Sequence, residues 1–261
     1  METITSRSNS LCVHFRKLAS SRSYREETGE FLCDSPKLLR EAELWGAPIL
    51  ALLYTEGAAL PALAEGAPAP RMAKVSEAVM RSVSPMETPQ GVVFSCGARG
   101  TRPPERLEPD ARGRLRCLVL DGVQDPGNVG TILRAADAFG AAVFLLPGCA
   151  DIYNPKTVRA GMGVHFRREI YRCTLPELTA LLREADLPLY GAALREDTAD
   201  ARRVDLRRCA MAVGSEGRGL SAEVLAACDR TIRIPMDEHC ESLNAASAAS
   251  VLLWEAARED L

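Results

Sequence analysis

A chain of 261 residues has room for about two domains, each able to bury its own core. Hydrophobic residues make up 47%, charged residues 26%, and the formal net charge of -3 neither invites nor rules out a nucleic-acid partner. No apolar stretch approaches the ~18 residues of a membrane span, and nine cysteines without a Cys-x-x-Cys pair or matching histidine spacing argue against structural zinc, any other metal site or a disulfide framework.

In chain order, residues 1–10 are polar and rich in Ser and Thr and read as a loose leader. A helix is expected from Leu11 to Ser20, then a lead-in from Ser20 to Arg25 to a strand over Gly29 to Cys33. Ser35-Pro36 opens a helix with proline at its first position, and Leu38, Leu39, Ala42 and Trp45 form its apolar face. Ile49 to Tyr54 is the next strand, followed by a helical stretch around Pro61 to Glu65, a polar segment from Lys74 to Val83 and a strand from Gly91 to Cys96. These make a small α/β unit over residues 1–97. The Gly-, Pro- and Arg-rich residues 98–114 read as a linker.

From residue 115 to 261 strands and helices alternate. Strands are expected at Leu115 to Leu120, Ala141 to Leu146, Phe166 to Tyr171, Leu187 to Leu194, Cys209 to Val213 and Thr231 to Pro235. Helices are expected at Val129 to Phe139, near Lys156, at Leu175 to Asp186, at Ala222 to Cys228 and at the C-terminus. Such alternation gives a mostly parallel sheet covered on both faces, with ligands at the carboxyl ends of the strands.

Three loops at such ends carry the chemistry. Asp121 to Arg134 follows a strand and opens a helix, with Asn128 a natural cap and Arg134 turned away from the apolar face. Taken alone, Arg134 also reads as an ordinary solvent-facing arginine. A dinucleotide site is poorly supported, because only Gly127 and Gly130 stand where Gly-x-Gly-x-x-Gly is required. The second loop, Ala212 to Ser221, holds Gly214, Gly217 and Gly219 around Glu216 and reads either as a ligand nest or as a plain glycine turn. The third runs Ile234-Pro-Met-Asp-Glu-His-Cys-Glu-Ser-Leu-Asn244 into an Ala/Ser-rich helix expected to start near Ser242 and to be buried on most sides. Polar groups gather at its mouth, Glu241 to Asn244.

The order Asn128-x-Gly-x-Ile-x-Arg134, Gly214-Ser-Glu-Gly-x-Gly219, Ile234-Pro-Met with Glu241-Ser-Leu-Asn244 closely resembles the SpoU (TrmH-type) RNA ribose methyltransferases of the SPOUT superfamily. The first domain resembles the L30e-like substrate-binding domain through Gly-x-Phe-Leu-x-Asp-Ser and Lys-Leu-Leu-x-Glu-Ala. The resemblance implies an α/β protein whose parallel-sheet SPOUT domain carries a deep trefoil knot, a homodimer joined through the knot region, and S-adenosyl-L-methionine bound in the knot; the cysteine pattern adds the expectation of a reducing cytoplasm. The resemblance also implies transfer of a methyl group to a ribose 2′-hydroxyl, with 23S ribosomal RNA as the preferred substrate; transfer RNA, or a non-catalytic RNA-binding assembly factor, is the alternative. It assigns cofactor contacts to Gly214, Ile234, Met236 and Leu243, and catalytic roles to Asn128, Arg134, Glu216, Ser242 and Asn244.

Two basic strips, one with Arg16, Lys17, Arg22 and Arg25 and one with Lys156 and Arg159, are candidate RNA-phosphate contacts. The chain departs from its relatives at Glu238-His-Cys, at Ala245-Ala246 after the Asn, and at Gly161 where serine is common. His239 reads as an exposed loop histidine or an RNA contact.

Overall fold

The computed structural model describes residues 2–58, 60, 70–110, 113–195, 197–237, 239–240 and 242–259. The helix expected around Pro61 to Glu65 lies outside the described residues, as do Glu238 and Glu241. The first elements are β1 (Glu2–Ile4), α1 (Ser10–Ser20), α2 (Arg22–Thr28), β2 (Glu30–Cys33), α3 (Pro36–Leu44), β3 (Ile49–Tyr54), β4 (Arg71–Val75), α4 (Glu77–Val83) and β5 (Val92–Gly97). Then come β6 (Leu115–Asp121), α5 (Pro126–Ala138), β7 (Ala142–Leu145), α6 (Pro155–Gly161), α7 (Val164–Arg167), β8 (Ile170–Arg172) and α8 (Leu175–Glu184). The chain closes with β9 (Leu189–Ala192), β10 (Ala199–Asp200), β11 (Arg208–Gly214), α9 (Ala222–Ala227), β12 (Arg230–Arg233) and α10 (Ala245–Ala257). Two compact units result: Met1–Arg99 with Asp151–Arg167, and Gly100–Ala150 with Arg168–Leu261.

The first unit is a five-stranded mixed sheet, order β1-β4-β3-β5-β2. Leu11, Phe15 and Leu18 of α1 and Val79, Met80 and Val83 of α4 fill one face. Leu38, Leu39 and Ala42 of α3, with Val158 and Phe166, fill the other. The expected loose leader instead contributes β1, which pairs parallel to β4 and buries Ile4. The polar segment after Lys74 splits into a strand and a helix because Ser76 accepts from Val79 N and starts α4. Ser21 does the same for α2, over residues expected only as a lead-in to the strand. Trp45 does not join the apolar face of α3; it sits at the helix end, half exposed, where Gly46 at φ +60 reverses the chain.

Charged and polar groups are buried in this unit. Arg25 donates to Asp151 Oδ2 at 2.7 and 3.0 Å and to Leu18 O at 2.6 Å. His165 donates Nε2 to Ile152 O at 2.8 Å, while its buried Nδ1 has no partner among the described residues. Burial holds His165 near pKa 4, below its ordinary 6.5. A Cβ at Gly161 would meet the His165 ring at 2.9 Å, so the histidine ring occupies the space a serine would need.

The second unit is a seven-stranded sheet, order β10-β12-β9-β11-β6-β7-β8, in which every strand pair is parallel. Its central strands are apolar almost throughout, as a sheet covered on both faces requires. Leu178, Leu181 and Leu182 of α8 and Val224 of α9 cover one face. Helices α5 and α10 pack together, and α10 also lies on β11. The buried Arg116 of β6 donates to Ala256 O at 2.7 Å, fixing the last turn of α10. Within the expected linker, Thr101 O accepts from Arg172 N at 2.7 Å beside β8, and Leu107 packs on the core. Among the described residues no helix is long and apolar enough to cross a membrane, and no group of three His, Cys, Asp or Glu could hold a metal.

Candidate active site

The carboxyl ends of β9, β11 and β12 open into one cleft of about 280 Å³. Because β11 is inserted between β6 and β9, and β12 lies beyond β9, loops distant in sequence meet there. Ala192, Val213, Ile232, Ile234, Leu243 and Ala248 give it apolar walls. Gly214, Glu216, Met236 and Ser242 line it too.

The sequence explains why the loops hold their shape. After β11, Ser215 and Gly219 exchange two backbone hydrogen bonds of 3.2 and 2.9 Å, with Gly219 at φ +66. This brings the Gly219 carbonyl onto Gly214, where a Cβ would collide with it, so Gly214 is required by crowding rather than by a positive φ. The loop is tied to β6 by Ser221 N, which donates to Asp121 Oδ2 at 2.7 Å.

Both helix caps differ from the sequence expectation. Asp125, not Asn128, caps α5, accepting from Asn128 N at 2.9 Å, and the helix starts at Pro126. Asn244, not Ser242, caps α10, its Oδ1 accepting from Ala246 N at 2.9 Å and Ser247 N at 3.3 Å. The shift on α5 frees the Asn128 amide for side-chain contacts. Asn244 Nδ2 donates to Asn128 Oδ1 at 3.2 Å, and Asn128 Nδ2 donates to Glu216 Oε1. A directed chain therefore runs from the N-terminus of α10 through both asparagines to the carboxylate at the cleft, joining all three loops.

Of the residues expected at the site, Gly214, Ile234, Met236, Leu243, Glu216 and Ser242 line the cleft. Asn128 and Asn244 stand behind Glu216. Arg134 is exposed on α5 and is not part of the lining. The helix α10 is not buried on most sides either: Ser247, Val251 and Trp254 form an exposed stripe, with Phe139 edge-on to Trp254 at 6.0 Å. His239 is exposed, its backbone N bonded to Asp237 Oδ1. Cys149, close behind the first loop, donates to Leu120 O, and burial pushes its thiol up to about 11, so it offers no thiolate nucleophile near neutral pH. All nine cysteines are free thiols.

The basic strips divide. Lys17, Arg22 and Lys156 are exposed, and Arg16 and Arg159 partly so. Lys17 lies over the Tyr24 ring at 5.1 Å, Arg22 pairs with Glu26 at 2.8 Å and Arg159 stands 3.7 Å from the buried Asp34. Arg25 is the correction: only 5% exposed and committed to Asp151, it has no guanidinium to offer a phosphate.

With this geometry in place the comparisons are decisive. The sequence model of the SpoU rRNA Methylase family matches residues 116–254, more than half of the chain. The chain belongs to the SpoU rRNA methylase family. Residues 13–93 match the MRM3-like substrate binding domain. The chain is 33% identical to the 23S rRNA (guanosine(2553)-2′-O)-methyltransferase RlmP of Bacillus subtilis, covering 97% of this chain and 98% of that one. It is 31% identical to the 23S rRNA (uridine(2479)-2′-O)-methyltransferase of Streptomyces viridochromogenes, over 98% and 92% of the two chains. Among solved structures, an AdoMet-bound rRNA methyltransferase from Sinorhizobium meliloti superposes with TM-score 0.85 at 28% identity, over 100% of this chain and 98% of that one. The α/β fold with its parallel sheet is thus the SPOUT methyltransferase fold; the second and third SpoU motifs line the cleft, and the first is bonded to it through Asn128.

The sequence reading missed Asp125, which caps the helix of the first loop, Asp121, which ties down the second, and the cleft residues Ala192 to Leu194 and Arg233. The carboxyl-end rule for parallel strands would have pointed to the last two, since they follow or end β9 and β12.

Proposed function

We propose that this chain transfers a methyl group from S-adenosylmethionine to a ribose 2′-hydroxyl of 23S ribosomal RNA. The observation that carries the reading is the cleft lined by the second and third SpoU loops, with Glu216 held at its rim by Asn128 of the first loop and, through it, by Asn244. The cleft fits the cofactor in kind: apolar walls suit an adenine ring, and backbone at the strand ends supplies the few polar contacts such pockets use. Gly214, Ile234, Met236 and Leu243 would hold it. Bound there, it supplies the methyl group as an electrophilic sulfonium.

The protein's share is position and electrostatics. The amide chain from Asn244 through Asn128 fixes the Glu216 carboxylate, and Ser242 borders the same opening. Arg134 orients the RNA phosphate and ribose and stabilises the oxygen as it loses its proton to a phosphate oxygen or water; a guanidinium carries only donors and no acceptor lone pair, so it is a poor base. Since Arg134 is exposed away from its own cleft, it acts on the cleft of a second copy. The exposed Val251 and Trp254 of α10 support a homodimer along that face. In this reading the sheet carries the trefoil knot, residues 1–97 bind RNA, 98–114 connect, and 115–261 catalyse in the cytoplasm. Arg16, Lys17, Arg22, Lys156 and Arg159 take RNA phosphates.

Incubation of the purified chain with methyl-labelled S-adenosylmethionine and total RNA tests the proposal. Label in 23S rRNA, at ribose 2′-oxygens, is expected. Label confined to transfer RNA would overturn the substrate class, and no label in any RNA would overturn methyl transfer.

A further inference from the structure

Among the described residues, only two that line the cleft carry a charge, Glu216 after β11 and Arg233 at the end of β12. Strand β9 lies between β11 and β12, so the strands that carry the two charges run about 10 Å apart, at two strand spacings. Glu216 is engaged from the α5 and α10 side by Asn128. Arg233 is different. Its neighbour in the ladder is Asp200, but Asp200 is spent on Arg202, whose guanidinium approaches to 2.6 Å and whose backbone N donates at 3.0 Å. Those bonds to Arg202 hold the Asp200 carboxyl down at about 2. Arg233 itself is exposed and makes no ion pair among the described residues. The cleft is therefore polarised, negative toward β11 and positive toward β12.

We infer that Arg233 anchors the α-carboxylate at the amino-acid end of S-adenosylmethionine. This rests on the cofactor reading of the cleft. A carboxylate brought from water onto apolar walls needs a paired charge, and a guanidinium meets it with two parallel hydrogen bonds. The polarity matches along the molecule: the sulfonium lies toward Glu216 and the carboxylate toward Arg233. Glu216 would repel the carboxylate, so the reverse orientation is disfavoured. Arg233 thus sets which way round the cofactor lies, and with it the direction in which the methyl group points.

Calorimetric binding of two probes to the full chain separates this role from others. S-adenosylhomocysteine keeps the amino-acid end, and 5′-methylthioadenosine lacks it. For Arg233→Gln, affinity for S-adenosylhomocysteine should fall about 10- to 100-fold while that for 5′-methylthioadenosine stays within about twofold. Arg233→Lys should recover part of the loss. Equal weakening of both probes, or of neither, would overturn the inference, as would intact binding of both with weakened RNA affinity. If the unaltered chain bound neither probe, the cofactor reading of the cleft would fall first. Because Arg233 is exposed, unchanged thermal unfolding should accompany both variants.

Discussion

The two units put their polar groups to opposite uses. In the first, Arg25, Asp151, Asp34 and His165 are folded inward, each against a partner or in apolar surroundings. In the second, Asn128, Glu216 and Asn244 stand at the open ends of parallel strands, bonded to one another but reachable. Burial makes a charge costly to disturb, whereas a rim position makes it useful to a substrate. Substitutions in the first unit should therefore read out in stability, and those at the rim in turnover.

The largest effect belongs to the buried pair. Arg25→Ala leaves Asp151, whose side chain is only 10% exposed, without its guanidinium and should cost about 3–5 kcal/mol of unfolding free energy, measured by denaturant titration. A loss under about 1 kcal/mol would place the pair at the surface and break the contrast. Next, Arg134→Lys should lower turnover by about 100- to 1,000-fold with cofactor affinity and stability unchanged. Near-normal turnover there would remove Arg134 from the chemistry.

A pH titration sharpens the comparison. His165 is held near 4 against an ordinary 6.5, so the unfolded chain binds more protons between those values. Its contribution is fully present above pH 6.5 and is lost as pH falls toward 4, up to about 3 kcal/mol. His165→Gln should flatten that part of the stability profile relative to the unaltered chain; parallel profiles would contradict the burial argument.

Asn244→Ala removes a helix cap worth about 1 kcal/mol and one link of the amide chain. Turnover should drop by far more than that small loss of stability would explain, and a change in stability alone would reduce Asn244 to a cap. The smallest effect is in RNA binding. Neutralising Lys17, Arg22 and Lys156 together should flatten the salt dependence of RNA affinity by roughly one unit for each phosphate that is no longer paired. An unchanged slope would place the RNA elsewhere.

Much of this was readable in the chain. Strand β3 was legible to the residue, since Ile49 to Tyr54 is one apolar run, and Ser35-Pro36 marked the start of α3 without ambiguity. The three loops were legible because each follows an apolar strand, and six of the nine residues expected at the site line the cleft, all from the second and third loops. What failed depended on distance in sequence. Arg25 looked like part of a basic strip because its partner Asp151 lies 126 positions away. Asn128 and Ser242 looked like caps because local chemistry permits it, while Asp125 and Asn244 took those places. The open stripe on α10 was hidden for a related reason: Val251 and Trp254 are apolar, and hydropathy alone does not tell a core face from an interface.

The most direct test of the central claim is nucleotide-resolution mapping of ribose 2′-O-methylation in rRNA from a strain lacking this gene, restored with either the unaltered chain or Arg134→Lys. The account predicts one 23S ribose that loses its methyl group on deletion, regains it with the unaltered chain and stays unmodified with the variant. An identical methylation pattern in all four samples, parent included, would contradict it.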